Sequence, residues 1–184
     1  MRNDNTKTDK NIKTKRVPKK LSERCLRNAG EYYLNRFPAS SNHFITVMTR
    51  KIDRSCRAHP DQDRTEWITH VKEVVAPYFE KLGFLNDELF GKGLFNSLKR
   101  RRLSRNEIYR RMTLKGLARE QVNALLSDEN DGVNDREAVL TFAKKKKIGK
   151  FRLLPTHDEN EKRRDLGKLA RAGFSYDVAM SVFD

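Results

Sequence analysis

Apolar side chains recur along this chain at helical intervals, and each recurrence stops at a Gly, a Pro or a polar cluster. Leu21, Cys25, Leu26, Ala29, Tyr32 and Tyr33 share one face of a helix that Pro38 ends. Ser40 or Ser41 can cap a second helix, with Phe44, Val47, Met48 and Ile52 on one side as far as Arg57. Ala58 to Arg64, with Pro60 and two Asp, reads as a loop. Trp67, Ile68, Val71, Val74, Val75, Tyr78, Phe79 and Leu82 then form the strongest amphipathic pattern, interrupted by Pro77, so a kink or break is expected near Ala76. The spacing follows a helix whose other face is charged, so this aromatic stripe reads as core and not as a surface on which bases stack.

Gly83 to Leu126 is the most informative stretch and predicts three short helices. Leu89, Phe90, Leu94 and Leu98 mark the first. Ser104 and Glu107 stand as N-cap and N3 of a capping box at the start of the second, with Leu103 and Ile108 as its hydrophobic staple. Ile108 and Met112 extend the stripe to Gly116, which suits a C′ position because glycine takes φ > 0 without a Cβ penalty. Val122, Leu125 and Leu126 mark the third helix. An acidic linker, Ser127 to Gly132, leads to a helix opened by Asn134-Asp135, much as Asn86-Asp87 opens its own. Lys144 to Lys147 follow that helix, and Ile148 to Asn160 reads as a loop with Pro155 as breaker. Leu166, Leu169 and Ala170 carry a penultimate helix ended by Gly173, and Ser175 can cap the last.

The pieces repeat. Leu34-Asn35-Arg36 with Ser40, Phe44 and Met48 maps onto Leu98-Lys99-Arg100 with Ser104, Ile108 and Met112 at one offset of 64 residues. Gly116-Leu117 with Val122, Leu125 and Leu126 returns as Gly173-Phe174 with Ala179, Val182 and Phe183. The expected fold is therefore all-α: three tandem three-helix, helix-turn-helix-like repeats over 21–85, 86–132 and 133–184, forming an elongated curved rod behind a disordered basic tail, 1–20.

Composition sharpens this. Of 184 residues 36% are hydrophobic and 35% charged, too few apolar groups for one large core. The net charge of +15 calls for a polyanionic partner: nucleic acid, an acidic membrane surface or an acidic protein. The charge is clustered, with eight Lys/Arg against two Asp in 1–20 and nine against two Glu in 98–120, thirteen of the fifteen. No apolar run spans a membrane, and the N-terminus has no apolar signal region. Two cysteines, Cys25 and Cys56, make no disulfide scaffold, and a reduced, cytoplasmic protein is expected.

Little in the sequence suggests catalysis. There is no Gly-rich phosphate loop and no nucleophile motif, and Cys56 with His59 supplies at most half a zinc site. His43, His70 and His157 stand alone and read as surface residues. Asp87 and Asp135, at helix starts, read as capping and macrodipole groups rather than metal ligands. No catalytic residue, cofactor or metal is expected. What remains is a binding surface: Lys99, Arg100, Arg101, Arg102, Arg105, Arg110, Arg111 and Lys115 in the middle unit, with Lys144, Lys145, Lys146 and Lys147 in the third. Read alone, a basic helix, a short Gly turn and a further helix also describe a helix-turn-helix transcription factor.

Gly83-Phe84-Leu85-Asn86-Asp87-Glu88-Leu89-Phe90, the basic helix, Ser104-Arg105-Asn106-Glu107-Ile108 and Lys115-Gly116-Leu117 resemble the central repeat of the RecX family, regulators of the RecA recombinase. Arg171-Ala172-Gly173-Phe174-Ser175-Tyr176-Asp177-Val178 is similar to that family's closing motif. Together these matches cover roughly the last 100 residues. The resemblance implies a monomeric, non-enzymatic protein of three three-helix repeats. It would bind the RecA–single-stranded DNA filament along its groove, block filament extension, ATP hydrolysis and strand exchange, and bind free single- or double-stranded DNA weakly. Four features depart from the pattern: His43 where the second repeat has Glu107, no Gly closing the middle helix of the first repeat, an added loop from Ala58 to Arg64, and a long basic insertion from Lys144 to Arg152.

Overall fold

A computed structural model describes residues 17–128, 132–152 and 158–183. The described chain is all-helical, with no strand. Helices α1 (Glu23–Leu34) and α2 (Ser41–Ala58) precede α3 (Arg64–His70), which runs through a π turn (Val71–Val75) into α4 (Ala76–Lys81). Then come α5 (Asp87–Arg100), α6 (Arg105–Leu114) and α7 (Arg119–Ser127), followed by α8 (Asp135–Lys146), a 3-10 turn (Gly149–Phe151), α9 (Glu159–Arg171) and α10 (Tyr176–Met180). Close helix packing falls into three sets, α1 to α4, α5 to α7, and α8 to α10. No described helix is long and apolar enough to cross a membrane.

The start signals work locally. Ser22, Ser40, Asp63, Asn86, Ser104, Asn134 and Asp158 each accept a hydrogen bond from a backbone N–H of the helix they precede. Ser175 precedes α10 without such a bond. At Pro77 the chain stays helical but its α pattern is interrupted: a π turn precedes α4, and the Ala76 N–H donates to Val71 O, five residues back. Of the expected tail, residues 17–20 are described. Ser55 Oγ donates to Lys19 O (2.8 Å), Leu21 N to Gln62 Oε1 (2.6 Å), and Lys20 pairs with Asp61, so Lys19 and Lys20 belong to the first helical set. The rest of that basic arm as far as residue 16, Pro155 and the centre of the acidic linker lie outside the described residues.

Burial forms two hydrophobic clusters. One gathers Leu26, Phe44, Ile52, Val71, Val75 and Phe79. The other runs unbroken from Phe95 and Ile108 through Val122 and Val139 to Leu169 and Val182, so the second and third sets share a core. Each such side chain contributes about 1.5–3 kcal/mol on burial. On α5 the buried face is Gly91, Phe95 and Leu98, while Leu89 is 70% exposed. Phe90 and Leu94 pack partly buried against that core, and Gly91 admits the Gln121 side chain, whose amide donates to Asp87 O at 2.8 Å.

The sets join through one arrangement used twice. Ser41 N donates to Asp87 Oδ1 and Arg105 N to Asp135 Oδ1, both at 2.7 Å. An acid on the first residue of one set's opening helix thus receives the N-terminus of the preceding set's α2 or α6. Ser40 and Ser104, both fully buried, sit against the glycine turns that end α6 and α9. Ser40 Oγ donates to Lys115 O (2.5 Å), Asn42 Nδ2 to Gly116 O (3.1 Å), and Ser104 N to Ala172 O (3.1 Å). Gly116 and Gly173 have φ of +83° and +89°. A Cβ on Gly116 would stand 2.8 Å from His43 N, and one on Gly173 2.6 Å from the Glu107 Cβ. Gly116→Ala and Gly173→Ala should each cost about 2 kcal/mol or more in chemical denaturation, from φ > 0 and lost junction contacts together. Gly93→Ala, at a helical position with open space, should stabilise by several tenths of a kcal/mol.

Candidate polyanion-binding surface

The middle cations sit where α5 ends and α6 begins, and the structure divides them by what they touch. Arg100, Arg101 and Arg102 are exposed. Arg100 Nε donates to Asn96 O at 3.3 Å, and Lys99 Nζ stands 5.9 Å from the Phe95 ring centre. Asn96, Lys99, Arg100 and Arg102 line an open hollow of about 420 Å³. Arg102 has φ of +59° and Lys147 +53°, in the left-handed region that glycine favours. Each ends a cationic helix one residue before a buried anchor, Leu103 or Ile148. Lys144 to Lys147 are all exposed at the last turn of α8 and just beyond it, where cations also complement the helix dipole.

Three predicted site residues are engaged inside the protein. The Arg105 guanidinium donates to Leu126 O (2.8 Å) and Ser127 Oγ (2.7 Å), closing the C-terminus of α7. Arg110 and Arg111 both hold Glu107, at 2.8 Å and 2.7 Å. Glu107 is buried, and its carboxylate is spent on these arginines, so it does not return to the Ser104 N–H as a capping box requires. Ser104 N bonds Ala172 O in its place. The Arg110 hydrogen bond, with Arg111 beside it, overcomes burial and holds the Glu107 carboxyl at about 2. Lys115 ends α6 with its side chain exposed and its carbonyl taken by Ser40.

Sequence reasoning missed a second cationic face on α9. Arg152, Arg163, Arg164, Lys168 and Arg171, with Asn160, Glu161 and Gly167, line an open hollow of about 620 Å³. Asp165, which is 1% exposed, anchors it by accepting from Arg152 Nη2 and Lys168 Nζ, both at 2.8 Å. Burial pushes the Asp165 carboxyl up, but these hydrogen bonds outweigh it and hold it below the usual range. The available signal was the i, i+4, i+7 spacing of Arg164, Lys168 and Arg171. A third hollow, about 390 Å³, is apolar and lies where the first two sets meet, lined by Pro38, Ala39, Phe84, Leu89, Phe90 and Leu94 among others.

Among the described residues no three His, Cys, Asp or Glu side chains group to hold a metal ion. Cys25 and Cys56 are free and half-buried. Fold and surface together define an all-helical scaffold whose helix ends and outer faces carry exposed cations.

Comparison with known proteins gives that scaffold its family. Over 167 residues the chain is 35% identical to regulatory protein RecX of Myxococcus xanthus, an alignment covering 91% of this chain and 88% of that one. It is 31% identical over 98 residues to regulatory protein RecX of Agrobacterium fabrum, covering 53% and 50%. The chain belongs to the RecX family of regulatory proteins. No protein-family model matches it, and neither does any solved structure.

Two outcomes follow from this electrostatic pattern. Glu107 binds its proton more weakly folded than unfolded, so its stabilisation is full above its ordinary value of 4.5 and is lost as pH falls towards 2. Glu107→Gln should cost about 1–2 kcal/mol at neutral pH, after discounting for the exposed Arg110, and should flatten the fall in denaturation midpoint across that acid window. Arg102→Gly should raise stability by about 1 kcal/mol while weakening polyanion binding, read by parallel melting and heparin-affinity elution.

Proposed function

We propose that this protein is a non-enzymatic regulator of a RecA recombinase, acting in DNA repair and recombination in the cytoplasm. It binds the RecA–single-stranded DNA filament along its groove as a monomer and inhibits filament extension, ATP hydrolysis and strand exchange. The observation that carries this reading is the 35% identity to a regulatory protein RecX across 91% of the chain. Its supports are the exposed cations at the ends of α5 and α8 and the repeated junction.

Three three-helix units, 21–85, 86–132 and 133–184, would stack into a curved rod. In favour of that arrangement, helix packing is closest within each unit, and the Asp87–Ser41 and Asp135–Arg105 contacts join successive units in the same way. Arg100, Arg101, Arg102, Lys115 and Lys144 to Lys147 would face DNA phosphates or acidic protein, with Lys99 beside them. Arg105, Arg110 and Arg111 would act chiefly by holding that surface in shape, since each already has an internal acceptor. Binding to free DNA would be weak and independent of sequence.

The rival transcription-factor reading needs a recognition helix that offers base-reading side chains. On α6 Arg110 and Arg111 are turned onto Glu107, which leaves Asn106 as its exposed amide.

In a RecA–single-stranded DNA–ATP reaction, substoichiometric protein should slow ATP hydrolysis. The Arg100→Glu/Arg101→Glu/Arg102→Glu chain should lose that effect by roughly tenfold in required concentration while keeping its helical signal. Unaffected hydrolysis beside tight, sequence-specific duplex binding would support the transcription-factor reading.

A further inference from the structure

We propose that the outer face of α9 is a second phosphate-binding track, separate from the cations at the α5–α6 turn. Asn160, Arg164, Gly167, Lys168 and Arg171 form one stripe along the helix. At 1.5 Å rise per residue, Arg164 to Arg171 spans about 10 Å, room for two successive phosphates of a nucleic-acid strand. Gly167 is the floor: a Cβ there would meet only the Arg171 guanidinium, at 3.5 Å, so the hollow exists because this position lacks a side chain.

The walls are fixed and the cations on top are free. Asp165 accepts from Arg152 and Lys168, and Arg152 also reaches Glu161 at 3.1 Å, which ties the turn after α8 to α9. Arg163, Arg164 and Arg171 are exposed, with no acceptor among the described residues. The lining has five cations and one acid, Glu161, and counting the buried Asp165 as well the face stays positive after the internal pairs are satisfied.

The lining favours phosphate over protein. Protein interfaces bury an apolar centre, and none of the eight residues around this hollow has an apolar side chain. The hollow that suits a protein contact is the one lined by Phe84, Leu89, Phe90 and Leu94. Arginines in a stripe over a flat glycine floor match the planar, bidentate needs of phosphodiesters. The biological sense of such a track rests on the RecA–DNA reading above, but its physical test does not.

The test uses the full chain and bare DNA, without recombinase: a labelled single strand and a duplex of the same sequence, titrated across a range of salt concentrations. Arg164→Ala/Arg171→Ala leaves the Asp165 anchor intact. It should weaken binding roughly tenfold and reduce the log–log salt slope by about 2, close to 0.9 for each lost phosphate contact on duplex. Whichever DNA shows the larger loss is the form the track prefers. Gly167→Leu keeps the net charge and favours the helix, yet it should weaken binding several-fold by filling the floor. DNA affinity and slope unchanged in either variant would overturn the proposal. If that result came with weakened inhibition of the filament ATPase, the face would belong to a protein partner. Loss of DNA binding with no filament inhibition by the parent chain would uphold the track and sink the RecA reading alone.

Discussion

An α-helix begins with backbone N–H groups that have no partner inside the helix, and this protein's assembly depends on where two such beginnings find theirs. Each is served partly by its own serine, Ser40 or Ser104, and partly from a distance by Asp87 or Asp135. The acid that receives α2 is the first residue of α5, and the acid that receives α6 is the first residue of α8. A carboxylate placed between two helix N-termini meets partial positive charge from both. Exposed ion pairs such as Lys92–Glu88 contribute far less, since water competes for each partner.

Glycine makes this approach possible. The serine caps rest against turns at Gly116 and Gly173, whose backbones take a conformation other residues resist and whose missing Cβ leaves room for His43 N and the Glu107 Cβ. The demand is steric and electrostatic together, which ties the positions of Ser, Asp and Gly to one another across 76 residues in one junction and 69 in the other. Buried apolar clusters provide most of the folding free energy, but they are tolerant of direction. The polar junction fixes how one helical set meets the next.

Against that rigid interior, the cations separate into two kinds. Arg105, Arg110, Arg111, Arg152 and Lys168 are held by acceptors of the protein itself. Arg100, Arg101, Arg102, Lys144 to Lys147, Arg163, Arg164 and Arg171 reach into solvent. Arg102 and Lys147 do so from left-handed backbone, a conformation that costs stability at a place where glycine would cost less. Glu107 and Asp165 remain ionised inside the protein because their arginine and lysine partners overcome the penalty of burial.

Helix existence, type and starting points were legible in the residues. Ser40, Ser104, Asn86 and Asn134 are caps whose chemistry acts within three residues, and apolar spacing reports which side of a helix avoids water. Gly116 and Gly173 were legible as helix ends for the same local reason. The stripe on α5 was legible in part: Leu98 is buried and Phe90 and Leu94 pack against the core, but Leu89 is exposed and Gly91 and Phe95 are buried, with Gln121 closing on Gly91. An irregularity near Pro77 was legible, but its form, a π turn over Val71–Val75, was not, because those side chains carry no sign of it. Charge density along the chain located clusters of cations, but Coulomb pairing depends on distances in space. The neighbours that occupy Arg105, Arg110 and Arg111, and the neighbours that leave Arg164 and Arg171 unoccupied on α9, are set by how the helices pack.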